Sequence, residues 1–283
     1  MSIDKFMEHI LVIQNNNLLS RFKNKSIIVE VDDFENLEQI KNDVQINNNL
    51  HCIVVHSTHD IASIEFNEEW KDIPIVVYAT ELGKVRDLIS KLPLIQKLNI
   101  KFFLHPEFEQ NYSAIQILSS LGVSSGIVIN ENADWEKLKK MMYYSLFGKV
   151  SHAPIEPFQY VHDLYDVFEL YMRDAVIDYD SVYFNNPSKY LYVNGDGKIA
   201  FTKKDLEAQS FFLNDIDEMV DKESNVLYNQ KIKSWQSILS EPTKCGECTA
   251  WRICMGKFLS SKDKLCQSFT QEWIEAVDAS KRK

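Results

Sequence analysis

Four of the five cysteines crowd into one short stretch, as Cys245, Cys248, Cys254 and Cys266 in the run KCGECTAWRICMGKFLSSKDKLC. Their spacing is C-x2-C-x5-C-x11-C. Thiolates are soft ligands, and four of them complete either an iron–sulfur cluster or a tetrahedral zinc site. Zinc sites commonly pair two short C-x2-C knuckles, whereas this chain has one knuckle and then wider gaps, which favours iron–sulfur and leaves zinc as the alternative. Lys244, Arg252 and Lys257 sit among the thiolates and would offset the charge of either site. Cys52 stands alone in an apolar run and reads as a buried core thiol.

Histidines form the second set of chemistry-bearing residues. His56 ends the run Cys52-Ile-Val-Val-His56, with His51 and His59 beside it, and His105 and His152 end two further runs. If these runs are strands, His56, His105 and His152 gather at their C-terminal ends, where β/α proteins place ligands, and could bind metal or move protons. Polar residues also finish strands and cap loops, and that plainer reading is the favoured one. His105-Pro106-Glu107-Phe108 reads as a turn opening a helix. Aromatic residues from Phe158 to Tyr192 are dense enough to suggest a peptide groove, but helical spacing at 161, 164, 165, 168, 171 and 172 explains most of them as one packed helix face.

The elements that must position these groups are legible in outline. Apolar runs begin at positions 26, 52, 73, 100, 126 and 148, each 21 to 27 residues after the last. That interval holds one strand, one helix and two short loops. Helices are expected over 111–121, closed by Gly122, and over 134–147, with acidic residues in the first turn and Gly148 at the end. Runs this apolar suit parallel strands buried on both faces. The expectation is an α/β fold of about six strands, a partial barrel in preference to an open doubly wound sheet. From residue 181 the pattern changes. Tyr190 to Phe201 is a hairpin around Asn194-Gly195-Asp196-Gly197, which lacks the spaced oxygen ligands of a calcium loop. A short strand and turn over 210–217, a helix over about 224–239, the cysteine segment and a closing helix over 271–279 follow.

Composition narrows the function classes. A net charge of −10 argues against a nucleic-acid backbone or an anionic membrane as the main partner. No apolar run reaches spanning length, and the opening MSIDKFMEHILVIQNNN has neither the basic start nor the apolar stretch of a signal peptide. Five cysteines in 283 residues do not make a disulfide scaffold, so the expected setting is a reducing cytoplasm.

The order of hairpin with Asn-Gly-Asp-Gly, Phe212-Leu-Asn-Asp-Ile216, helix, C-x2-C-x5-C and a later cysteine resembles the SPASM domain, the cluster-binding module of radical S-adenosylmethionine (SAM) peptide maturases. The resemblance covers roughly residues 188 to 275. It implies that Cys245, Cys248, Cys254 and Cys266 hold one auxiliary 4Fe–4S cluster. Phe201 and Phe258 stand where the fuller family has cysteines of its other cluster. A partial (β/α)6 radical-SAM-like barrel over 1–180 and a small α+β SPASM/twitch-like module over 181–283 are the implied parts. The C-x3-C-x2-C motif that holds the SAM-cleaving cluster is missing, since only Cys52 lies upstream of Cys245. SAM is therefore not expected as a cofactor. The implied protein is a pseudo-radical-SAM/SPASM accessory factor of a Bacteroidales-type peptide-maturation system, partnered by a precursor peptide or an active radical SAM maturase. Two alternatives stand beside it. One is a zinc-stabilised β/α-barrel enzyme acting on a small molecule through His56, His105 or His152; the other is one half of a split radical SAM maturase.

Overall fold

A computed structural model of the chain describes residues 9–14, 16–130, 132–149, 151–164, 189–215, 222–237 and 265–282. The chain is an α/β protein built on a nine-stranded sheet. Its strands are β1 (Ile10–Ile13), β2 (Ser26–Val31), β3 (Asn49–Ser57), β4 (Ile75–Ala79), β5 (Ile100–Leu104), β6 (Ser125–Ile127), β7 (Ile155–Glu156), β8 (Tyr190–Val193) and β9 (Ile199–Ala200). Between them run α1 (Leu37–Gln45), the short α2 (Val85–Ile89) and α3 (Leu92–Ile95), then α4 (Glu109–Ser120), α5 (Trp135–Phe147) and α6 (Phe158–Leu164). After the hairpin come α7 (Lys203–Glu207), α8 (Lys222–Ser237) and α9 (Leu265–Lys281).

In the sheet the strands lie in the order β7-β6-β5-β4-β3-β2-β1-β8-β9, with every pair parallel except the β8–β9 hairpin. From β1 to β7 the winding never reverses; the order reverses at the β1/β8 junction, where β8 lies parallel to β1 on the side away from β2. Right-handed crossovers that all step the same way lay their helices on one face of the sheet. The side chains bear this out. Leu11, Ile13, Val29, Val55, Val77 and Leu104 form one large core with Leu37 and Ile40 of α1, Ile115 and Leu118 of α4, and Leu138 and Met141 of α5. The alternate strand residues Val12, Ile28, Cys52, Val54, Val76 and Phe103 form a second cluster on the other face, with Tyr190, Tyr192, Ala200 and Leu206.

Local chemistry accounts for the helix ends. Asp134 caps α5 by accepting hydrogen bonds from the N–H groups of Glu136 and Lys137, each at 3.1 Å. Gly122 takes φ +77° just past α4, a conformation that a side chain would strain. In the hairpin turn the Asn194 side chain accepts from Asp196 N (3.0 Å) and Lys198 N (2.8 Å), and Gly197 has φ +89°. The turn thus uses its own oxygen ligand internally.

Several expectations need adjusting. The described residues of the sixth predicted strand, 148–149 and 151–152, are not in a strand; the strand is β7, which starts three residues beyond His152. Strand β1 lies in the opening segment, outside the six expected runs, and it joins two distant parts of the chain. It pairs with β2 on one side and with β8 on the other, the registers being Ile10↔Ser26 and Ile10↔Tyr190. The hairpin therefore continues the sheet. The closing helix is longer than expected, and α9 packs Phe269 and Trp273 against Trp135 of α5 and Phe158 of α6. The expected segment boundary near 180 and most of the aromatic-rich stretch lie outside the described residues.

Candidate functional site

The C-terminal edge of the parallel sheet carries a polar cluster on the face away from the main core. Glu30 is the penultimate residue of β2, in the run Ser26-Ile-Ile-Val-Glu-Val31, and its side chain is only 5% exposed. Three donors surround it. Gln14 Nε2 donates to Oε2 at 3.1 Å, while Lys203 Nζ at 3.2 Å and His56 Nε2 at 3.4 Å share Oε1. Burial works against the carboxylate charge. The hydrogen bond from His56, the charges of Lys203 and of His56 when protonated, and the hydrogen bond from Gln14 outweigh it and hold the carboxyl down at about 2. The group is thus ionised across the physiological range. Tyr192, buried on the same face, has its phenol pushed well above the usual range by burial and by the nearby Glu30 and Glu207 charges.

Sheet register places an aromatic row beside this cluster. His56, Tyr78, Phe103, Gly126 and Glu156 are successive partners across β3 to β7. The His56 imidazole stacks on Tyr78 with centroids 5.2 Å apart and planes at 12°. Tyr78 in turn lies 6.1 Å from both Phe103 and His105. Gly126 makes room for the row, since a Cβ there would meet Phe103 at 2.5 Å and the Glu156 Cβ and carbonyl at 2.8 Å. At the far end Lys101 Nζ pairs with the buried Glu156 at 2.9 Å, and the other Glu156 oxygen accepts from Tyr160 N at 3.2 Å.

The histidines expected at one edge divide. His56 and His105 do share the C-terminal edge, one on either side of Tyr78. His152 does not. It precedes β7 and so belongs to the N-terminal edge of the parallel sheet, where it stacks on Tyr144 at 5.0 Å and contacts the Ala153 carbonyl. The cause is the misplaced sixth strand. His59 is exposed in the loop after β3, and His105-Pro106-Glu107-Phe108 forms the turn opening α4, as its sequence suggests. Among the described residues no group of three or more His, Cys, Asp or Glu side chains is arranged to hold a metal ion.

Of the four expected cluster ligands, Cys266 lies in the first turn of α9, half-buried at the margin of the main core. Cys245, Cys248 and Cys254 lie outside the described residues, as does Phe258. Phe201, at the other position expected to have lost a cysteine, is buried. Its ring lies 4.1 Å from that of Phe212 and stacks on Tyr228 at 5.5 Å. Cys52 is fully buried in the second core cluster.

Sequence reasoning missed Glu30, Lys203 and Gln14. Glu30 leaves a legible sign, a single carboxylate inside an otherwise apolar strand, which demands a partner. Lys203 leaves none, because it reaches Glu30 only through the β8–β1 pairing. No family model matches the chain, and no curated protein matches it in sequence.

Proposed function

We propose that the chain is an accessory pseudo-radical-SAM/SPASM protein of ribosomal peptide maturation, acting in the cytoplasm. In this reading Cys245, Cys248, Cys254 and Cys266 hold one auxiliary 4Fe–4S cluster. The protein binds a precursor peptide, an active radical SAM maturase or both, and cleaves no SAM itself. The observation that carries the proposal is the cysteine spacing C-x2-C-x5-C-x11-C placed after a hairpin and a helix. Two features of the fold support it. Seven parallel strands that wind in one direction suit a partial (β/α) barrel with the hairpin module appended. The packing of Phe201 between Phe212 and Tyr228 suits a site that has exchanged a thiolate for apolar contacts. Four-thiolate ligation supplies a cluster that serves as structural pin or electron relay.

The reading is tested by anaerobic reconstitution with iron and sulfide. About four irons and four sulfides per chain are expected, as a four-thiolate cluster requires. Reduced protein incubated with SAM should release no 5′-deoxyadenosine. A zinc-loaded, colourless protein, or SAM turnover, would contradict it. Among the described residues no helix is long and apolar enough to cross a membrane.

A further inference from the structure

We propose that Glu30, His56 and Lys203 form a proton-transfer site at the C-terminal edge of the sheet, acting on a small carbonyl compound with an acidic hydrogen next to its carbonyl. The inference is independent of the peptide-maturation reading and uses no cysteine. It starts from an asymmetry in exposure. Glu30 is 5% exposed, whereas the His56 and Lys203 side chains that contact it are 34% and 43% exposed. A buried carboxylate thus stands behind two groups that reach the surface of the edge. A carboxylate accepts only, so the nitrogen that faces it, Nε2, carries the imidazole proton. In the neutral ring Nδ1 then keeps a lone pair for a ligand's proton. Stacking on Tyr78 fixes the ring plane. Gln14 holds the second Glu30 oxygen, so the carboxylate is anchored at both ends.

Lys203 completes the set. Its Nζ contacts the same Glu30 oxygen as His56 Nε2, so one buried atom anchors both the ammonium and the imidazole ring that carries the proton acceptor. A carbonyl compound whose oxygen faces Lys203 would present its neighbouring C–H toward His56. The C–H bond breaks, its proton goes to Nδ1, and the electron pair moves through the carbon to the oxygen as an enolate facing the ammonium. Return of a proton from His56 regenerates the carbonyl, with no oxidant or reductant consumed. His56 is the catalytic residue, and Glu30 is a positioning residue acting through it.

The experiment uses the full-length protein in D2O with pyruvate and dihydroxyacetone as probes, following loss of their exchangeable C–H signals by proton NMR. Exchange faster than that given by free imidazole at equal concentration is expected, falling at least about 100-fold in His56→Ala, the scale of a lost general base. Lys203→Met, checked for cooperative unfolding because it removes a partner of the buried Glu30, should lower it too. Long-range 1H–15N spectra of the histidine rings should show His56 as the Nε2–H tautomer, and Glu30→Gln should disturb that signature in a protein that still unfolds cooperatively. Exchange no faster than free imidazole, exchange unchanged in His56→Ala, or an Nδ1–H tautomer at His56 would each overturn the proposal.

Discussion

Glu30 shows how a single side chain ties the two ends of the chain together. Its charge is kept in a buried place by Gln14, His56 and Lys203, the last of them 173 residues away. Because its carboxyl is lowered from the ordinary 4.5 to about 2, the ionised form favours the folded state. That contribution is fully present above pH 4.5 and is lost as the pH falls toward 2, and on the linkage relation it amounts to about 3 kcal/mol. Urea unfolding of the wild type and Glu30→Gln from pH 6 to pH 2 checks this. The wild type should lose more stability than the variant across that window, and parallel curves would mean that Glu30 is not held as described. At this scale the sequence was half legible. His56 and His105 are visible as polar ends of apolar runs, whereas the partners that orient His56, Glu30 and Tyr78, come from β2 and β4, and only the fold assembles them.

Elements with strong local signals were readable and weak ones were not. β5 falls on the residues its apolar run marks, and α4 and α5 end where Gly122 and Gly148 stop them. β7 is only two residues long, too short to leave a pattern, whereas the longer Gly148-Lys-Val-Ser-His152 run reads as a strand and places His152 at the wrong edge. β1 is a four-residue apolar run, Ile10–Ile13, beside a string of asparagines, and its strand character comes from lying between β2 and β8. The closeness of β5, β6 and β7 gives a prediction at this scale. Gly126→Ala forces a Cβ against Phe103 and the Glu156 backbone, and overpacking of this kind costs about 1–3 kcal/mol. A thermal melt should fall accordingly. Asp134→Ala, which removes the α5 cap, should cost about 1 kcal/mol. An unchanged melting temperature in either variant would count against the local geometry given above.

Across the whole molecule, one open sheet joins the N-terminal β/α units to the hairpin that precedes the cysteine segment. The parallel pairing of β1 with β8 and the His9–Tyr228 hydrogen bond at 2.8 Å make that junction, with Arg21 pairing to Asp215 nearby. Strand–helix alternation made the β/α class legible from spacing alone. The junction was not legible, because pairing between strands about 180 residues apart leaves no local trace. The central claim concerns the four cysteines. The measurement that tests it most directly is the metal and acid-labile sulfide content of anaerobically purified protein, wild type beside Cys254→Ser. The account predicts about four irons and four sulfides per wild-type chain, with most of both lost in the variant. Stoichiometric zinc without sulfide, or a metal-free wild type, would contradict it.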